Sequence, residues 1–169
     1  EDSKHTPMVD NFDIYLDLLK KHLKTKRYIK KDTKIEPSSK EIVIRNDEGR
    51  VLRGYFKKVE VYDSKDITLK NAFIEELIIY NSKIDFINSK LDLTKDSFII
   101  NSKVQMTATT IKLDKPIEIN NSDFDLAAVD VETKTKAFYT NSEKKQEVVY
   151  SLCTVNSQPR HGVFTVGHF

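Results

Sequence analysis

The sequence predicts a mainly β chain, an antiparallel meander or jellyroll sandwich preceded by one amphipathic helix. Three observations carry this expectation. Apolar side chains recur at every second position through most of the chain after residue 40, the period of half-buried strands. Asparagine–serine pairs stand where that alternation breaks or changes phase. A helical spacing of apolar residues is confined to the first part of the chain. With 169 residues, 38% hydrophobic and 32% charged, the chain suits one domain with a thin core and a flanking segment.

The helix is read from "TPMVDNFDIYLDLLKKHLKTKRY", where Phe12, Leu16, Leu19 and Leu23 form one apolar stripe. Thr6 before Pro7, or Asp10 for a later start, supplies the cap; acids lead and bases trail, in accord with the helix dipole. Such a helix covers one end of a sheet. Because residues 20–31 read "KKHLKTKRYIKK", the alternative is a helix resting on an anionic membrane surface. The polar connector "KKDTKIEPSSK", with Pro37, sets the boundary. Residues 1–35 are thus helix and connector, 36–150 the β domain, and 151–169 a C-terminal tail expected to be partly disordered.

Strands follow from Glu41 onward. Ile42 and Ile44, Val59 and Val61, and Ile67 and Leu69 alternate with polar neighbours, and "NDEG" makes a turn between the first two strands. The denser part reads Ile84/Phe86, Leu91/Leu93, Phe98/Ile100, Val104/Met106, Ile111/Leu113, Ile117/Ile119 and Phe124/Leu126, short strands between tight turns. The turns carry "NSK" at Asn81, Asn88 and Asn101, "NSD" at Asn121 and "NSE" at Asn141. Asparagine tolerates left-handed backbone angles, so it can do what glycine usually does in a chain with only 4 glycines. The recurrence also fits a stacked solenoid, but its unequal spacing fits an antiparallel meander or jellyroll at least as well. Val129, Val131 and Phe138 mark a last strand or hairpin.

Little in the chain suggests chemistry. The carboxylates alternate with apolar residues, which puts them on solvated strand faces. His5, His22, His161 and His168 show neither helical pairing nor a Cys/His cluster, so no metal is assigned. Cys153, the single cysteine, has no recognisable base beside it and can form no internal disulfide. No glycine-rich phosphate loop is present, and Phe86, Phe98 and Phe124 sit in the apolar register rather than the charged one. The expectation is a protein that is not an enzyme, needs no cofactor and binds no nucleic acid. A net charge of +2 agrees with the last point, and no run approaches the roughly 18 apolar residues of a membrane span.

The order of segments resembles the periplasmic domain of LptC, the bitopic component of the lipopolysaccharide export bridge. The segments are "KIEPSSKEIVIRNDEGRVLRGYFKKVEVYDSKDITLKNAFI", "KIDFINSKLDLTKDSFIINSKVQMTA" and "IEINNSDFDLAAVDVETKTKAFY"; "VQMTATTIKLDKPIEI" is also similar to strand repeats of the related bridge protein LptA. The resemblance implies an open, twisted antiparallel β-jellyroll with an apolar groove for acyl chains. It assigns the lining to Phe86, Leu91, Leu93, Phe98, Ile100, Val104, Met106, Ile111, Leu113, Ile119, Phe124 and Leu126. It implies two sheet edges that meet partners, one at Ile42 and Ile44 toward an inner-membrane ABC transporter complex, the other at Val129 and Val131 toward an LptA-like periplasmic protein. The cargo would be lipopolysaccharide or a similar lipid, and the setting the periplasm of the cell envelope, with an inner-membrane anchor supplied by a segment outside this chain. Self-association through sheet edges is a further expectation.

A second reading belongs to another class: a β-solenoid or β-sandwich structural module of a secretion or surface assembly, with a filled core and no lipid ligand. Strict stacking of the "NSK" turns distinguishes it from the first.

Overall fold

The computed structural model describes residues 40–168, which fall in one compact unit, Pro37–Phe169. The helix expected before the connector lies outside the described residues. Among the described residues there is no helix; the chain runs through β1 (Glu41–Arg45), β2 (Val51–Phe56), β3 (Lys58–Tyr62), β4 (Ile67–Ile74), β5 (Leu77–Tyr80), β6 (Lys83–Ile87), β7 (Lys90–Leu93) and β8 (Phe98–Ile100). It continues through β9 (Lys103–Thr107), β10 (Thr110–Leu113), β11 (Ile117–Asn120), β12 (Asp123–Ala127), β13 (Asp130–Thr133), β14 (Phe138–Tyr139), β15 (Gln146–Val155) and β16 (Gln158–Val166).

The fold is a parallel β-solenoid, which corrects the antiparallel jellyroll expected from the sequence. A 6-stranded sheet stacks in the order β1-β3-β5-β8-β11-β14, one strand from each coil. A 10-stranded sheet wraps the other two sides, because the long strands β4 and β15 each pair with a different neighbour at either end. Every pairing is parallel except that of β15 with β16. Stacked partners lie 17 or 18 residues apart in the early coils, 20 in the middle and 24 at the last corner.

Corner geometry explains why the strands are parallel. A two-residue hairpin of type I′ needs two successive residues at positive φ. Here each asparagine corner has one: Asn81 at 49°, Asn88 at 47°, Asn101 at 50° and Asn121 at 49°, each followed by a serine outside that region. One left-handed residue bends the chain without reversing it, so the next strand runs on around the coil. Ala108 at 49° and Ala128 at 52° occupy the same place in later coils without asparagine's tolerance. Among the described residues reversal happens once, at Asn156 and Ser157, where φ is 50° and 64°, and there the antiparallel hairpin β15–β16 forms. Residues after Tyr150, read from the sequence as a tail, form the rest of β15 and all of β16.

Corners must also satisfy backbone groups turned away from the strand ladders. A column of buried serines does this. The Ser64 amide donates to Ser82 Oγ at 3.1 Å, Ser82 to Ser102 at 3.1 Å, and Ser102 to Ser122 at 3.0 Å. Each hydroxyl in turn donates to the carbonyl two residues back, 2.7 Å for Ser64, Ser82 and Ser102. Asp47 N–H starts the column on Ser64, and Gln146 Oε1 ends it by accepting from Ser122. Outside it, Asn121 Nδ2 donates to Asn101 Oδ1 at 2.8 Å and Asn88 Nδ2 to Asn71 Oδ1 at 2.6 Å.

The interior is built of stacked apolar rows. Ile67, Ile84, Val104, Phe124 and Val148 are successive partners in one row, all buried. Leu69, Phe86, Met106 and Leu126 form another. Each fully buried large side chain contributes about 1.5–3 kcal/mol. Parallel in-register stacking therefore yields one continuous core in which each coil roofs the one before it.

Candidate functional site

Of the residues assigned to a lipid groove, Phe86, Leu91, Leu93, Val104, Met106, Ile111, Leu113, Ile119, Phe124 and Leu126 are core, none more than 2% exposed. Phe98 and Ile100 point the other way. In β8 it is Ile99 that is buried, so both neighbours lie on the outer surface, half-buried among their own row. Of the residues assigned to partner edges, Ile42 and Ile44 lie in β1, an edge strand of the first sheet. Val129 and Val131 are buried beside and within β13, which is flanked on both sides by β10 and β15.

Phe98 and Ile100 are not isolated. The registers place Val43, Glu60, Ile78, Phe98, Glu118 and Tyr139 in one outward column of the first sheet. The column beside it holds Arg45, Tyr62, Tyr80, Ile100 and Asn120. Ile78, Tyr80, Phe98 and Ile100 thus form a contiguous apolar block at the centre of this face. Tyr62 stacks on Tyr80 with centroids 5.7 Å apart, and the Arg45 guanidinium lies 4.0 Å from the Tyr62 centroid. Outer positions on the other two sides carry Lys83, Asp85, Lys103 and Gln105, or Lys90, Asp92, Thr110 and Lys112, with Val51, Ile87 and Val149 exposed among them.

Charges around the block are tied to one another. Lys58 bonds Glu60 at 2.5 Å and Glu76 at 3.5 Å, and Lys115 bonds Asp96 at 3.1 Å. The Lys58 bond holds Glu60 below the usual carboxylate range, and Glu60 in turn holds Lys58 above the usual lysine value. Burial, then the hydrogen bond to Glu118 at 2.9 Å, pushes Tyr139 up to about 12. Near neutral pH Lys58 and Glu60 therefore stay ionised and Tyr139 stays neutral beside the apolar centre.

Two concavities lie at the corners and at the β15–β16 end. A shallow groove of about 370 Å³ follows the asparagine corner past Lys65, Lys83 and Lys103, with Lys83 held by Asp66 at 2.6 Å. A second concavity of about 470 Å³ lies at the β15–β16 end. Among the described residues no group of three or more His, Cys, Asp or Glu could hold a metal. Cys153 is buried, and its thiol donates to the Leu126 and Ser151 carbonyls at 3.3 and 3.2 Å.

Sequence reasoning missed Tyr62, Ile78, Tyr80 and Tyr139 as surface residues. The signal is present in "LIIY" and "FII", where apolar residues run consecutively instead of alternating, so both faces of the strand are apolar. No family model matches this sequence, and no curated protein or solved structure matches it.

Proposed function

We propose that the protein is a structural β-solenoid module of a larger secretion or surface assembly, and that it engages another protein through the outer face of its first sheet. The observation that carries this is the contiguous block of Ile78, Tyr80, Phe98 and Ile100, which brings four apolar side chains from two neighbouring coils together on the outer face of the first sheet. A cluster of aromatic and aliphatic side chains at the centre of a paired-charge rim has the composition of a protein–protein contact. The filled interior favours this reading over an acyl-chain carrier, because the ten core residues named above already occupy the space a lipid would need. A rigid stack also suits a strut: each coil is held to its neighbours by strand ladders and the serine column.

Site-specific photo-crosslinking in the protein's native cell tests the proposal. A photoreactive residue in place of Phe98 should give a discrete protein adduct, whereas one in place of Lys112, on a different side, should give none. Adducts of equal yield at both positions, or none at Phe98 in folded protein, would count against it. A lipid adduct at the inward Ile99 would favour the carrier reading instead.

A further inference from the structure

One dipeptide, asparagine–serine, recurs at 81–82, 88–89, 101–102, 121–122, 141–142 and 156–157. Its own chemistry is a slow self-modification, which is one reason asparagine counts as thermolabile. The backbone nitrogen of the serine attacks the asparagine Cγ, the Cγ–Nδ2 bond breaks, and Nδ2 leaves as ammonia with the serine amide proton. The succinimide ring so formed takes up water at either carbonyl, giving aspartate or its isomer isoaspartate, whose backbone is one carbon longer. No oxidation or reduction is involved. The reaction needs a serine N–H open to a base in solvent, so identical dipeptides react according to what the fold does with that group.

The corners close five of the six pairs. Ser82 N–H is donated to Ser102 Oγ at 3.1 Å, Ser89 to Thr109 Oγ1 at 3.4 Å, Ser102 to Ser122 Oγ at 3.0 Å, and Ser122 to Gln146 Oε1 at 3.1 Å. All four of these serines are buried, and Ser142 N–H is donated to Thr140 Oγ1 at 3.1 Å. The departing nitrogens are held as well at three corners, where Asn81, Asn88 and Asn121 donate through Nδ2 to Asp63, Asn71 and Asn101. Asn156–Ser157 differs. Both residues are exposed, and neither the Ser157 N–H nor Asn156 Nδ2 has an acceptor among the described residues. Asn156 Oδ1 accepts from the Thr133 N–H at 2.8 Å, and a donor there stabilises the negative charge that gathers on this oxygen when Cγ is attacked.

We propose that Asn156 is a site of spontaneous deamidation, the asparagine–serine pair that converts first in the folded protein. The aspartate product keeps an acceptor for the Thr133 amide and strengthens that bond by its charge. The isoaspartate product adds a backbone carbon to a turn whose two residues both sit at positive φ, so it loosens the β15–β16 hairpin. The modification is independent of the contact proposed for the first sheet.

Peptide mapping by mass spectrometry tests it, on the full chain held at mildly alkaline pH either folded or in guanidinium chloride. In the denaturant all six pairs should convert at similar rates, because the reacting dipeptide is the same. In the folded protein Asn156 should convert first, with Asn81, Asn88, Asn101 and Asn121 at least about tenfold slower, since a buried hydrogen bond must break before each can react. Ser102→Ala removes the acceptor of the Ser82 N–H, so it should speed conversion at Asn81 about tenfold and leave Asn156 unchanged. Ser157→Gly, at a position already in the left-handed region, should keep the fold and speed conversion at Asn156 alone, because it removes the side chain beside the attacking nitrogen. Equal rates at Asn156 and Asn101 in folded protein, or earlier conversion at any other of the pairs, would overturn the proposal. So would an intact Asn156 in folded protein after a time that converts it in the denaturant.

Discussion

Replacing Ser102 by alanine probes the element that most distinguishes this solenoid from a simple apolar stack. The Ser102 hydroxyl accepts from the Ser82 amide at 3.1 Å and donates to the Ile100 carbonyl at 2.7 Å. The Ile100 carbonyl also accepts from Asn81 N–H at 3.0 Å, so it keeps a partner after the change. The Ser82 amide loses the one shown for it, and Ser82 is only 5% exposed. A buried donor left unsatisfied costs about 1–3 kcal/mol. Loss of one hydroxyl leaves little cavity, so the expected destabilisation is about 2 kcal/mol. Stacked repeats need not unfold in one step, which makes amide hydrogen exchange a sharper assay than a melting curve. Exchange at the Ser82 amide should accelerate about 30-fold, the equivalent of that energy. Ser102→Thr should restore most of the protection, since Thr109 Oγ1 already serves the Ser89 amide at the second corner, at 3.4 Å. Unchanged protection at Ser82 in Ser102→Ala, with a stability within about 0.5 kcal/mol of the parent, would refute the idea that the serine column carries the corner.

Three further outcomes concern the corners and the tyrosines. Leu152 sits at φ 52° and 84% exposed, so Leu152→Gly should raise stability by about 0.5–1 kcal/mol, measured by urea denaturation; Asn101→Ala should lower it by about 1–2 kcal/mol through strain and the lost bond from Asn121. Tyr55, through its hydrogen bond to Glu75, and Tyr139 and Tyr150, chiefly through burial, are each pushed up to about 12 from the ordinary 10. Between pH 10 and 12 the unfolded chain thus binds fewer protons than the folded one, and the stability these groups contribute below pH 10 is lost as pH rises through that window. Phenolate absorbance should accordingly show these three tyrosines titrating late, together with a lower urea midpoint at pH 11 than at pH 9; early titration of all three in folded protein would contradict it.

Strand positions are legible in the sequence wherever the alternation is strict. Leu91 and Leu93, or Val104 and Met106, lie in strands with both side chains inside. The direction of those strands is harder to read, because it depends on whether one or two corner residues adopt positive φ. The asparagine–serine pair at 101–102 bends the chain, while the same pair at 156–157 reverses it. Nothing in the two letters separates these outcomes; the neighbouring coil that accepts the serine amide does. Repeat length hides the stack as well. Extra residues between β7 and β8, and between β14 and β15, enlarge the coil at exposed corners without disturbing the register inside. At β8 the run Phe98–Ile100 is apolar on both faces, so alternation cannot choose a side there. Ala108 and Ala128 hold corner positions with no sequence cue for a turn.

Parallel stacking underlies both the filled interior and the outer face proposed as a contact surface, and spin-label distances test it most directly. Thr68, Asp85, Gln105, Asp125 and Val149 are successive register partners, one per coil, on the outside of the second side. With Cys153 replaced by serine to leave no native thiol, labels at Thr68 paired with Gln105, Asp125 or Val149 are two, three and four strands apart. Parallel stacking predicts backbone separations near ~10, ~14 and ~19 Å, rising by ~4.8 Å with each coil. A separation that fails to rise in that order, as when an antiparallel meander folds one of these strands back toward another, would contradict the solenoid and everything built on it.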